Sequence, residues 1–250
     1  GGGFPGVRLI SRATNMIRKK MSKNSRRKYS LLSLAADFIF PNQCIGCLEE
    51  GSGICSKCLK RQEMAVSFCL VCGKTNFLGR TCPSCYKKNL PERLVVGFCY
   101  KGLVKKLIMD AKYSDCQANL QEISVKLAKL ISDQIEIETI ITYIPLTREK
   151  ERFRGFNQSR VIAKVVAGEL GIRCESLLKR RHKDYSQVEI STKSSRLANV
   201  KGVFTLGSIP IGTKKIILID DVTTTGATLL EASKVLKKAC KKVVCVALAH

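Results

Sequence analysis

The sequence of 250 residues has no tryptophan, an aromatic share of only 6% and just two histidines. With so few rings, base stacking can contribute only modestly to any affinity for nucleic acid. His182 and His250 lie far apart with no ligand spacing, so a histidine metal centre is excluded and both are read as surface residues. No stretch reaches the roughly 18 consecutive apolar residues that a membrane-spanning helix needs. Acidic side chains are scarce as well: 20 Asp and Glu face 44 Lys and Arg, for a net charge of +24. That surplus predicts polyanionic partners. A content of 45% hydrophobic and 26% charged residues is nevertheless that of a globular chain. The length suits one large domain, or an ordinary domain with a small module, and excludes a large multidomain machine.

The positive charge is uneven. Residues 1–30 hold Arg8, Arg12, Arg18, Lys19, Lys20, Lys23, Arg26, Arg27 and Lys28 and no acid, and their lack of apolar periodicity predicts a flexible basic arm. Translation starting at Met21 would remove part of it. The apolar run 31–40 follows this arm as the core of a signal peptide would, but Asp37 interrupts it and Pro41 ends it, as befits a short amphipathic helix. Residues 31–90 then read as that helix plus a cysteine-rich module, which closes at Asn89-Leu90-Pro91, and 91–250 as a second domain.

Eight of the 13 cysteines form four C-x-x-C knuckles: Cys44/Cys47, Cys55/Cys58, Cys69/Cys72 and Cys82/Cys85. Two knuckles supply the four thiolates of a closed tetrahedral zinc site, and a module this short needs such a staple to fold. Two structural zinc ions are therefore expected, with thiolates kept reduced as in the cytoplasm. Four cysteines also suit an iron–sulfur cluster, and the knuckles can pair sequentially or interleave. The other five, Cys99, Cys116, Cys174, Cys240 and Cys245, are assigned no chemistry.

Beyond residue 91, strand-like segments (94–100, 139–144, 216–219, 243–248) alternate with helix-like ones (103–113, 120–133, 158–170, 229–239). This alternation predicts an α/β fold with a mostly parallel sheet flanked by helices and ligands at the strands' carboxyl ends. At one such end, Asp220 and Asp221 precede Val222, Thr223, Thr224, Thr225, Gly226, Ala227 and Thr228. Small residues opening a helix let backbone N–H groups approach a phosphate, and paired carboxylates suit ribose hydroxyls and Mg2+. A helix cap alone would not require two acids and four threonines. Gly73-Lys74-Thr75 imitates the end of a nucleotide-binding P-loop, but Phe68 stands where that motif needs its first glycine.

The run Asp220 to Thr228 resembles the phosphoribosyl-diphosphate signature of type I phosphoribosyltransferases. Arg154-Gly155-Phe156-Asn157-Gln158-Ser159 is similar to a segment of the ComF family of competence proteins. The knuckles, Tyr100-x-Gly102, Lys112-Tyr113 and Arg196-x-x-Asn199-Val200-x-Gly202-x-Phe204 match that family too. Asp184 and Lys101 depart from it.

The resemblance implies that Asp220 and Asp221 bind ribose and Mg2+ and that residues 224–228 cradle the 5′-phosphate. Pro145, Leu146 and Thr147 would form the pyrophosphate-side loop, and Gln187, Ser191 and Arg196 would belong to a closing loop. Arg152 and Arg154, on a loop, would add anion contacts, and Asn157 would cap the following helix. Two functions are compatible with this. One is a cytoplasmic DNA-uptake factor of natural transformation that binds phosphoribosyl diphosphate with Mg2+ and single-stranded DNA, with a competence helicase as partner. The other is an active transferase moving ribose 5-phosphate to an unidentified acceptor, with Asp220, Asp221 and Arg196 as candidate catalytic residues.

Overall fold

The computed structural model describes residues 43–50, 53–76, 78–113, 117–181 and 202–250. The arm, the 31–40 segment and the loop bearing Gln187, Ser191 and Arg196 lie outside the described residues. Five strands form one parallel sheet: β1 (Arg93–Phe98), β2 (Thr139–Tyr143), β3 (Arg173–Cys174), β6 (Lys215–Val222) and β7 (Lys242–Ala249), in the order β1-β7-β6-β2-β3. The longest strands, β6 and β7, are central and almost wholly buried because helices cover both faces. A separate antiparallel pair joins β4 (Leu178–Arg180) to β5 (Phe204–Leu206).

The period of two along β6 sorts its side chains between two cores. Ile217 and Ile219 face α2 (Gly102–Tyr113), α3 (Gln121–Leu130) and α5 (Gln158–Leu170). Ile216 and Leu218 face α6 (Ala227–Leu236) and the β4–β5 pair. These four helices each bury one stripe, as Val104, Leu107, Ile108 and Ala111 show for α2.

The cysteine-rich segment, which includes the short helix α1 (Ser56–Lys60), enters both cores. Cys44, Ile54 and Leu59 pack into the first, and Phe68 and Leu70 into the second. It also lines the outer edge of β1, where Leu94 N donates to Gly79 O at 2.8 Å and Thr81 N donates to Glu92 O at 2.9 Å. An otherwise open strand edge is thereby paired.

One difference from the expected layout concerns residues 148–154. They form a helix, α4 (Arg148–Arg154), so Arg152 and Arg154 stand on a helix and not on a loop. Thr147 caps it by accepting from Lys150 N at 3.3 Å, acids occupy its first turn and arginines its last, and Gly155 ends it at φ 79°.

At the amino ends of the central strands, Glu136 ties β6 to β7 through Lys215 Nζ at 2.9 Å and Lys242 Nζ at 2.7 Å. These hydrogen-bonding ammonium groups hold its carboxyl down at about 2. A depressed carboxylate pKa contributes stability above the unfolded value of about 4.3, and the contribution disappears as pH falls towards the folded value. Glu136→Gln should therefore lower the melting temperature near neutral pH, and the gap from wild type should close between about pH 4 and pH 2. Parallel melting curves across that range would remove this pair from the account.

Candidate functional site

The carboxyl ends of β2 and β6 open onto a site built from four elements. Asp220, on β6, is 8% exposed, and its Oδ1 accepts from Ser159 Oγ at 2.9 Å and from Asp221 N at 3.0 Å. Burial first, then the adjacent Asp221 charge, push its carboxyl well above the usual range, and the Ser159 bond only partly opposes this. Asp221 instead forms an ion pair with Lys112 of α2, Oδ2 to Nζ at 2.9 Å, with both side chains about 15% exposed. Two neighbouring carboxylates thus have different environments, one desolvated and one neutralised by a lysine.

Asn157 couples the end of β2 to α5. Its Oδ1 accepts from Arg160 N at 3.2 Å, capping the helix, while its Nδ2 donates to Ile144 O at 2.9 Å, just before Pro145. Capping places Ser159 in the first turn, within reach of Asp220. The neighbouring Gln158 is buried; its Oε1 accepts from Arg154 Nη1 at 3.4 Å, and its Nε2 has no partner.

After β6, Thr223 N donates to Ala249 O at 2.9 Å, and Gly226 starts α6 at φ 75° without a side-chain cap. Among the described residues, the N–H groups of Thr224, Thr225 and Gly226 meet no acceptor. They adjoin a helix N-terminus, the arrangement that favours an anion.

A cationic group reaches Asp221 from other elements through Lys112. Desolvation, then Arg180, Arg154 and Lys112, push the Lys150 ammonium below the usual lysine range, so these four side chains share one field. On α4 the helical period sets Arg154 beside Lys150 and turns Arg152 to the opposite side, so Arg152 is not brought into this group. Pro145, Leu146 and Thr147 do connect β2 to α4 at the site, with Thr147 occupied as a cap.

The eight knuckle cysteines form two quartets in sequential order, Cys44/Cys47/Cys55/Cys58 and Cys69/Cys72/Cys82/Cys85, with all sulfurs of a quartet within 4.8 Å of one another. The spacings Cys47 Sγ to Cys55 Sγ, 3.7 Å, and Cys72 Sγ to Cys82 Sγ, 3.8 Å, match the about 3.8 Å expected between thiolates placed tetrahedrally about zinc. Desolvation and neighbouring thiols push Cys58 up to about 12 and Cys82 up to about 11, while in the same quartets, against desolvation, backbone N–H groups bring Cys44 and Cys69 down to about 6. The donors and geometry fit two structural zinc ions.

A family model described as the double zinc ribbon domain matches residues 35–95. Curated relatives include the DNA utilization protein YhgH of Salmonella typhimurium, 29% identical across 74% of this chain and 84% of its own length. Competence protein F of Haemophilus influenzae is 29% identical across 75% and 85%, and competence protein ComFC of Bacillus subtilis 24% identical across 76% and 80%. The chain is a homologue of the ComF competence proteins. Among solved structures, a glutamine phosphoribosylpyrophosphate amidotransferase from B. subtilis has a TM-score of 0.35 and 15% identity, with 55% of this chain aligned to 30% of that one.

In this ComF homologue, sequence reasoning missed the parts played by Ser159, Lys112 and His250. His250 is exposed, as expected of a surface residue, yet its Nδ1 lies 3.0 Å from Thr223 O, and its ring meets Phe68 with centroids 4.6 Å apart. No helix among the described residues is long and apolar enough to cross a membrane.

Proposed function

We propose that this protein is a competence and DNA-utilization factor whose pocket binds phosphoribosyl diphosphate with Mg2+ and whose adjoining surface holds single-stranded DNA. The observation that carries the first part is the Asp220–Asp221 pair at the end of β6, followed in the chain by the free N–H groups of residues 224–226 and ion-paired to Lys112, which shares a field with Lys150, Arg154 and Arg180. The N–H groups suit a 5′-phosphate, the cations a diphosphate, and the carboxylates the hydroxyls of the ribose between them. Asp220 and Asp221 would also hold Mg2+ directly or through water, and that ion supplies neutralisation of the diphosphate charge. Such a site acts by positioning and charge stabilisation. Calorimetric titration of phosphoribosyl diphosphate with Mg2+ tests this reading, and absence of heat and of competition by diphosphate would sink it.

The DNA part draws on the curated relatives and on the outer side of α4. There Phe153 is 80% exposed on the same short helix that exposes Arg148 and Arg152, so one aromatic ring and two cations are presented to solvent. Phe153→Ala should weaken binding of a short single strand about 5- to 20-fold, within the range for loss of one stacked base. Arg148→Ala/Arg152→Ala should flatten the log–log salt dependence by about 1.4, or about 0.7 per phosphate contact. If instead deleting residues 1–30 abolishes binding while these variants bind like wild type, the contact belongs to the arm and not to α4.

A further inference from the structure

The second cysteine quartet lies against the candidate phosphate loop. A Cβ added to Gly226 would lie 2.3 Å from Leu70 Cδ2 and 3.7 Å from Phe68 Cε2, so the loop backbone sits directly on these two side chains. Both are buried and bracket ligand Cys69, between the quartet and the second core. Position 226 therefore requires glycine twice over, for its φ of 75° and for the space that Leu70 fills.

The other end of the loop is braced from the same segment. The Phe68 ring packs on the His250 ring, whose Nδ1 lies 3.0 Å from Thr223 O. His250 is itself held by backbone bonds, donating to Phe98 O at 3.0 Å and accepting from Tyr100 N at 2.7 Å. Leu70 at residue 226 and Phe68 at residue 223, through His250, thus grip both ends of the segment whose N–H groups are free.

What holds Phe68 and Leu70 is the knuckle. Cys69 N donates to Lys74 O at 2.9 Å and Gly73 N to Cys69 O at 2.8 Å, closing a turn around the positions of Cys69 and Cys72. Phe68 and Leu70 are seated in the second core, and metal bound at Cys69 and Cys72 would fix the backbone on either side of Leu70. The first quartet is placed differently. Its Cys44, Ile54 and Leu59 belong to the other core, with Val104 and Leu107 of α2.

We propose that the second half of the zinc ribbon is a positioning element of the phosphate loop. Leu70 and Phe68, fixed by metal at Cys69, Cys72, Cys82 and Cys85, set the conformation of residues 223–226, and affinity for a phosphorylated ligand depends on that metal. Both are positioning residues. The inference rests on the phosphate-loop reading given above for its ligand, but not for the packing it invokes.

The test uses full-length protein and four variants: Leu70→Ala, the milder Leu70→Val, Phe68→Leu, and Val71→Ala as a neighbour that is 42% exposed and outside the second core. Zinc content, hydrogen exchange at residues 224–228 and calorimetric affinity for phosphoribosyl diphosphate with Mg2+ are measured on each. Leu70→Ala is expected to keep about two zinc ions per chain and to accelerate exchange at residues 224–226. It should also weaken the ligand about 10-fold or more, since small misplacements of binding groups cost that much. Leu70→Val and Phe68→Leu should lie between it and wild type, and Val71→Ala should match wild type. If Leu70→Ala does not fold, the graded effect of Leu70→Val on exchange decides. Unchanged exchange and affinity in the Leu70 variants, with zinc retained, would overturn the proposal. Absence of binding by wild type would overturn the ligand reading alone, while the exchange measurement would still judge the packing.

Discussion

Replacing both Asp220 and Asp221 with alanine should weaken phosphoribosyl diphosphate binding in the presence of Mg2+ at least about 100-fold, or about 2.7 kcal/mol, while leaving the zinc content at about two per chain. The single variants separate the two carboxylates. Asp220 is desolvated and carries a raised pKa, so its ionised form is disfavoured by the fold. For an acid with a raised folded pKa, the native state binds more protons than the unfolded state above about pH 4, and stability falls as pH rises towards the folded value. Asp220→Asn keeps an acceptor for Ser159 Oγ and Asp221 N and removes this penalty. It should raise the melting temperature of the unliganded protein at neutral pH, at roughly 2–4 °C per kcal/mol, while lowering ligand affinity. Asp220→Ala leaves the buried Ser159 hydroxyl without its acceptor, while Asp221 N keeps Ser159 Oγ at 3.2 Å, and should melt lower than the Asn variant. Asp221→Asn leaves the Lys112 ammonium without its carboxylate in a largely desolvated place and should cost affinity with no gain in stability. Equal heats from wild type and the double variant would mean that neither carboxylate meets the ligand.

This division of roles was only partly legible in the amino-acid order. The strand ending in two acids, the threonine-rich turn and the helix after it are contiguous, so their local pattern announces a phosphate-type loop. The helices Gly102–Tyr113 and Gln158–Leu170 follow from apolar periodicity, with Asn157 and Gly171 marking both ends of the second. The contacts that distinguish Asp220 from Asp221 are not contiguous. Ser159 is 61 residues from Asp220, and Lys112 reaches Asp221 from a helix on one face of the sheet. No local rule carries such pairings. Helix α4 is a different kind of omission, because its signals were present: threonine before it, glutamates early, arginines late, glycine after. At seven residues it has less than two full turns of apolar pattern, so charge dominates its appearance. Strands β3 to β5 have two or three residues each and fall below any period.

Metal loss should have the largest effect on the fold itself. Structural zinc contributes about 10–16 kcal/mol of apparent binding energy in isolated finger peptides, comparable to the whole 5–15 kcal/mol stability of an ordinary domain. Here the two quartets reach opposite faces of one sheet. Cys69→Ser/Cys72→Ser should reduce zinc from about two ions per chain to about one and loosen Phe68 and Leu70 from the core containing Leu94 and Val96. Cys44→Ser/Cys47→Ser should also reduce zinc to about one, but release Ile54 and Leu59 from the core containing Val104 and Leu107. Each variant should melt at least about 6 °C below wild type, since even 3–5 kcal/mol corresponds to about 6–20 °C at this chain length. Hydrogen exchange separates them: the first should expose β1 and residues 223–230, the second α2 and the first turn of α3. The outer edge of β1 also loses its cover when the Gly79 to Thr81 segment detaches, leaving unpaired strand groups that promote association. Concentration-dependent aggregation is therefore expected of the second-quartet variant above all. Either pair losing its zinc with an unchanged melting curve would show that the sheet is stable without the ribbon, and that the shared cores contribute little to it.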